Sequence, residues 1–101
     1  MDNHHYARIL DEVASLLQIK GANRFKVRAF ENASRTIDGL PEPVEQLIER
    51  DELEDLSGIG ESIANDMREI AETGTCSAHT SLLSELDPRL RDLLAIHGPG
   101  R

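Results

Sequence analysis

The residues of this chain best suited to chemistry are two glycines and a short run of basic side chains. In "LSGIGESIAND", residues 56–66, Gly58 and Gly60 flank Ile59 between two stretches of helical pattern. Glycine takes positive φ freely and lets another backbone approach closely, as a sharp helix–turn–helix reversal requires. The N–H groups that open the second helix have no intrahelical acceptors and lie at the positive end of its dipole. An anion such as a phosphate can dock there without any side chain. Ile59 is expected to tuck between the helices and lock the turn, with Ser62 in the first turn beside the open amides. A plain loop around a packed isoleucine also fits two glycines. The longer string is more specific: Leu53 and Leu56 precede the turn, and Ile63, Ala64 and Met67 follow it.

Charge is the second signal. The formal net charge of −8 opposes nucleic acid as a partner, because phosphate contacts supply most nonspecific affinity. Its distribution says otherwise. Residues 20–36 hold Lys20, Arg24, Lys26, Arg28 and Arg35 against Glu31 alone, whereas residues 40–72 hold eleven acidic side chains against Arg50 and Arg68. One basic patch on an acidic body is more informative than the sum.

The other reactive side chains read blandly. His4 and His5 are adjacent, so they point to different helix faces and fit a frayed N-terminus better than a metal pair. His79 and His97 have no partners at ligand spacing. "ERDELED" lacks the Asp-x-Asp and glycine pattern of a calcium loop and reads as a solvated acidic face. Cys76 is the single cysteine, which excludes an internal disulfide and fits a reducing cytoplasm. It has no catalytic partner pattern and is expected to be a small buried residue.

The elements that must position these residues are helices throughout. Tyr6, Ile9, Leu10, Val13, Leu16 and Leu17 recur at three- and four-residue steps, with Asn3 as the expected N-cap and Gly21 as the stop. "NRFKVRAFENASRTIDGL" repeats the pattern with Phe25, Ala29, Phe30, Ala33 and Ile37, and places Lys26, Arg28 and Arg35 on its exposed side. "PEPVEQLIER" predicts a short helix with prolines in its first turn, "DELEDL" another helical turn, and "GESIANDMREIAETG" a longer helix stopped by Gly74. "SAHTSLLSEL" and "PRLRDLLAI" predict two more, divided at Asp87–Pro88. No segment alternates with strand period. The fold class is all-α, a compact bundle of short helices, with a core of Leu, Ile, Val and Ala because aromatic residues make up only 3%. No apolar run approaches the roughly 18 residues of a membrane span. The start of the chain does not read as a secretory signal. The expectation is a cytoplasmic monomer.

Two strings resemble a known family. "LSGIGESIANDMREIAETGT" is similar to the helix-hairpin-helix element of X-family DNA polymerases, in the N-terminal domain that corresponds to the small lyase domain of polymerase beta. "LLQIKGANRFKVRAFENASRTIDGLP" resembles the helices that precede it in bacterial members, where K-G-x-N-x-F-K-x-R-A-[YF] is typical. The resemblance covers essentially the whole chain. It implies a helical DNA-binding domain at residues 1–94 with its hairpin at 56–60. "LLAIHGPGR", at 95–101 and just before, resembles the start of the family's second hairpin, cut before its second helix as in a segment of a longer protein.

The resemblance also implies a ligand, gapped DNA with its 5′-phosphate, in base excision repair. Lys26 matches the family's phosphate-contacting lysine. Phe25 matches a position where some members stack a ring on a base, although the scarcity of aromatic residues favours a place in the core, and its spacing with Ala33 and Ile37 favours the core for Phe30. The implied contact set is Lys20, Arg24, Phe25, Lys26, Arg28, Arg35, Gly58, Ile59, Gly60 and Ser62. The hairpin often holds a monovalent cation, Na+ or K+, which the resemblance places on the backbone carbonyls of Glu54, Leu56 and Ile59. No other cofactor is implied.

Positions that are basic in many members are Glu61, Ser62 and Asp66 here. The lyase subset uses a helix lysine as a Schiff-base nucleophile; that position is Asp66, and Lys20 and Lys26 are the only lysines in the chain. No catalytic residue is therefore expected. Two readings remain. One is the DNA-binding module of an X-family polymerase. The other is a protein-interaction module on the same scaffold, with an idle hairpin and an acidic 40–72 face that takes a basic partner. Clustering of Lys20, Arg24, Lys26 and Arg28 beside the hairpin would favour DNA.

Overall fold

The computed structural model describes residues 2–85, and the expected helix and second hairpin of residues 88–101 lie outside them. The order is α1 (Asn3–Lys20), α2 (Arg24–Asp38), α3 (Val44–Glu49), a 3₁₀ turn (Leu53–Asp55), α4 (Glu61–Thr73) and α5 (Ser77–Glu85). No strand occurs among the described residues, so the expected all-α class holds.

α1 and α2 form the spine. Tyr6, Leu10, Val13 and Leu17 of α1 are buried with Val27, Phe30, Ala33 and Ile37 of α2. Each large apolar side chain buried in this way contributes about 1.5–3 kcal/mol. Ala7, Ala14 and Ala33 keep the seam narrow, and the buried Ser34 hydroxyl donates to the Ala7 carbonyl across it at 2.7 Å. α1 stops at Gly21, whose φ of +84° is left-handed and lets Ala22 N return to the Leu17 carbonyl at 2.9 Å.

Several local expectations need correction. Asp2, not Asn3, caps α1, its carboxylate accepting from His5 N at 3.0 Å. Asn3 instead accepts from Val44 N at 2.7 Å and donates to the Glu42 carbonyl at 2.8 Å. The cause lies in α3, whose cap position is Pro43, a residue with no side-chain acceptor. Asn3 supplies that cap from α1. The prolines therefore precede α3 and do not occupy its first turn. Nor is the N-terminus frayed at the histidines: His5 Nε2 donates to the Gly74 carbonyl at 2.9 Å, tying α1 to the end of α4, and His4 Nδ1 stands 3.4 Å from Asp38.

The remaining helices close over the spine. The Tyr6 hydroxyl donates to Glu45 at 3.0 Å, and burial followed by that carboxylate partner raises the phenol's pKa. Leu53 and Ile59 are buried together with Ile63, Ala64, Met67 and Ile70 of α4. Glu69 caps α5, accepting from Ser77 N at 3.0 Å and Ser77 Oγ at 2.6 Å. His79 Nε2 donates to Glu12 at 2.7 Å and docks α5 on α1. That bond holds the Glu12 carboxyl below the usual carboxylate range. Cys76 is buried as expected, and burial pushes its thiol up, away from nucleophilic use.

Candidate functional site

The hairpin runs from the 3₁₀ turn into α4. Leu56 N bonds the Leu53 carbonyl and Ile59 N bonds the Leu56 carbonyl, both at 3.1 Å, and Ile59 is 4% exposed. The isoleucine thus plugs the core while Gly58 turns the chain at φ +83°. Gly60 is the cap position of α4 and has no side chain to serve as a cap. The first bond of the helix runs from Ala64 N to the Gly60 carbonyl at 2.9 Å. The amides of Glu61, Ser62 and Ile63 therefore point out of the helix end, as an anion site requires.

The side chains around this end are mostly acidic. Glu54, Asp55 and Glu61 are exposed. Arg68, the nearest arginine in sequence, is engaged by Asp51 at 2.7 Å and Glu54 at 3.9 Å, so its charge is largely compensated. Asp51 itself holds a left-handed φ of +56° at the end of α3, a seat that Asp tolerates better than most residues. Asp66 is half-buried one turn beyond Ser62 on the same face of α4. Its pKa is raised by burial and then by Glu69, and Lys26 partly offsets the rise. The influence of Lys26 on Asp66 is the smallest of the three.

The basic run does not form one patch, so the clustering of Lys20, Arg24, Lys26 and Arg28 beside the hairpin that would favour DNA is not found. Arg24 and Arg28, one turn apart, line a groove of about 220 Å³ with Gln18, Ala22, Val27 and Glu31. Lys26 is about 200° around the helix from each of them. Lys20 pairs with Glu85 at 2.6 Å, and Arg35 bonds Asn32 further along α2. Among the described residues Arg24, Lys26 and Arg28 form no ion pair.

Phe25 lies between the two basic sides and is 74% exposed, the most exposed large apolar residue described. The core expectation for it is wrong. Val27, Phe30, Ala33 and Ile37 set the buried face, and Phe25 is about 200° from Val27. Phe30 is buried as expected.

Among the described residues, the carbonyls of Glu54 and Ile59 accept no backbone bond outside the helices, and that of Leu56 accepts one, from Ile59 N. Each carbonyl has two lone pairs, so all three retain capacity for an ion. No group of three His, Cys, Asp or Glu side chains among the described residues could hold a metal. No described helix is long and apolar enough to cross a membrane.

Sequence reasoning missed the contacts that join distant segments. Glu12 and His79 are 67 positions apart, and Asn3 and Val44 are 41 apart. No local pattern signals either pair. The split of the basic run was readable from helical spacing, since residues 24 and 28 share a face that 26 does not.

Comparison with known proteins agrees with this geometry. The family described as the helix-hairpin-helix domain matches residues 1–76. The chain is also 33% identical, over 93 residues, to the DNA polymerase/3′-5′ exonuclease PolX of Bacillus subtilis (strain 168). That match covers 92% of this chain and 16% of the polymerase, so the chain spans a small part of its relative's length. The chain belongs to the helix-hairpin-helix domain family, as a member of the type carried by X-family DNA polymerases.

Proposed function

We propose that this chain is a DNA-binding module of an X-family polymerase and engages gapped DNA through the 5′-phosphate at the gap. The observation that carries the reading is the hairpin itself: Ile59 plugs the core, Gly58 turns the chain at φ +83°, and α4 opens at Gly60 with no side-chain cap on its first amides. A phosphate at the open amides of Glu61, Ser62 and Ile63 would lie at the start of the Ser62–Asp66 face of α4, and the charge of Lys26 acts on Asp66. Phe25, exposed beside Lys26, offers a ring for an unpaired base, and such stacking is worth about 1–3 kcal/mol.

The carbonyls of Glu54, Leu56 and Ile59 would hold Na+ or K+. A cation there would offset the charge of Glu54 and Asp55 and favour an approaching phosphate. Asp66 cannot form an imine, so the chain's own part is to bind and orient, without a covalent step.

Fluorescence anisotropy on a gapped duplex, with and without the 5′-phosphate, tests the reading over a salt series. Two to four phosphate contacts give a log–log salt slope of about −2 to −4. Lys26→Ala is expected to weaken the phosphorylated substrate selectively, by about 1–2 kcal/mol for one charge-assisted contact. No binding at low salt would overturn the DNA reading in favour of a protein partner. Equal loss on both substrates would move Lys26 from the terminal phosphate to general backbone contact.

A further inference from the structure

We infer that α5 is a strap that opens from α1 as a unit while α1–α4 stay folded, with the Glu12–His79 pair as its latch. The helices beneath it are held by apolar burial, and α5 is not. α1 buries eight side chains and α4 four, whereas α5 buries Leu82 alone. At nine residues α5 is also shorter than an isolated helix needs to persist in water. Its structure therefore depends on its seat on α1. Gly74, left-handed at φ +89°, supplies the turn on which the strap hinges.

The seat is a ladder of side chains with ionic ends and an apolar middle. Glu12, Leu16 and Lys20 lie four residues apart along one ridge of α1, and His79, Leu82 and Glu85 lie three apart along α5. His79 Nε2 meets Glu12 at 2.7 Å, and Lys20 Nζ meets Glu85 at 2.6 Å. The two helices thus run in the same direction, and this register sets Leu82 over Leu16. A three-residue ridge laid along a four-residue one is a regular mode of helix packing. The ionic ends are unequal. Lys20 and Glu85 are both half exposed, where solvent and salt leave an ion pair little net strength. The His79 side chain is only 12% exposed. Arg8, one turn before Glu12, holds the other carboxylate oxygen at 3.1 Å and so sets the acceptor in place. The Thr75 hydroxyl meets the second imidazole nitrogen at 3.3 Å. Opening breaks this ladder and bares the ridge around Leu16, otherwise 1% exposed, but leaves the α1–α2 seam intact.

Native-state hydrogen exchange of the full chain, followed amide by amide by NMR at a series of low urea concentrations, tests the strap. Amides 80–85 should exchange at least about tenfold faster than those at the centres of α1 and α2. Their exchange should also depend little on urea, because opening a short helix exposes little surface. Glu12→Gln keeps the shape of the latch and removes its charge, and should speed exchange at 80–85 on the order of fivefold. Ile37→Val instead weakens the α1–α2 seam, where Ile37 is fully buried. It should speed the core amides of α1 and α2 roughly two- to tenfold, with no change at 80–85, since the strap opens without breaking that seam. Exchange at 80–85 that rises in Ile37→Val, or that equals the core rate in the wild type, would show that α5 opens only with the whole domain and overturns the strap. Unchanged exchange at 80–85 in Glu12→Gln overturns the latch.

Discussion

Two substitutions in the hairpin separate its structural role from its ligand-binding role. Gly58 sits at φ +83°, and a Cβ added there meets no atom within 4 Å. Gly58→Ala therefore carries only the backbone penalty of an L-residue in the left-handed region, about 1–2 kcal/mol. In a domain of this size each kcal/mol lowers Tm by about 4–8 °C, so the variant should melt roughly 4–16 °C early. Gly60 is extended, with φ −91° and ψ −179°, and a Cβ there also meets nothing within 4 Å. Serine is preferred to glycine at a helix cap by a few tenths of a kcal/mol at most. Gly60→Ser should thus melt as the wild type does, or slightly later. Its new hydroxyl, however, accepts from the amide of Ser62 or Ile63, one of the donors a phosphate would use. Loss of one charge-assisted donor should weaken the phosphorylated gapped duplex roughly five- to tenfold. Circular-dichroism melting and anisotropy at low salt read both effects. Wild-type affinity in Gly60→Ser would show that no phosphate docks at the α4 amides. A wild-type Tm in Gly58→Ala would refute the strain argument.

Other consequences follow from individual side chains. The folded pKa of Asp66 is raised by burial, so its contribution favours the fold below the unfolded carboxyl value and is lost as pH rises through the folded one. Asp66→Asn should raise Tm at pH 7 and give no gain at pH 3, and an equal gain at both would refute the assignment. Phe25→Ala should leave Tm unchanged, since the ring is exposed, yet cost the gapped duplex about 1–3 kcal/mol; a lowered Tm would return Phe25 to the core. Borohydride trapping on an incised abasic substrate should yield no adduct, because Asp66 stands at the expected nucleophile position. An adduct lost in Lys26→Ala would show that Lys26 had taken over the role.

The helices were legible because each carries its own period and stop. Gly21 and Gly74 end α1 and α4 in the left-handed conformation, and the stripe from Tyr6 to Leu17 needs only local spacing. The hairpin was equally legible, since Ile59 between two glycines encodes both the plug and the turn. What sequence could not give is anything decided by a partner far along the chain. Asn3 has the chemistry of a cap and is one, but for α3, because Pro43 left that helix without its own. His79 reads as an isolated imidazole until the fold brings Glu12 to it. Phe25 failed for a different reason. A single residue at the start of a helix fits two apolar registers, and only the packing of Val27 against α1 selects between them.

On the proposed reading, the acidic body becomes part of how the module would discriminate. Glu54, Asp55 and Glu61 are exposed on the segments that flank the open amides, so an internucleotide phosphate that arrives alone would meet repulsion within the ~8 Å screening length at physiological salt. A terminal phosphate brings close to two negative charges to the amides, and a gap also exposes an unpaired base for Phe25. Continuous duplex offers neither. With few basic contacts to spare, binding depends on several of these features coinciding, whereas a uniformly basic surface would hold any DNA. On that reading the carboxylates would act against the wrong ligand more than for the right one, which is how repulsive groups set specificity.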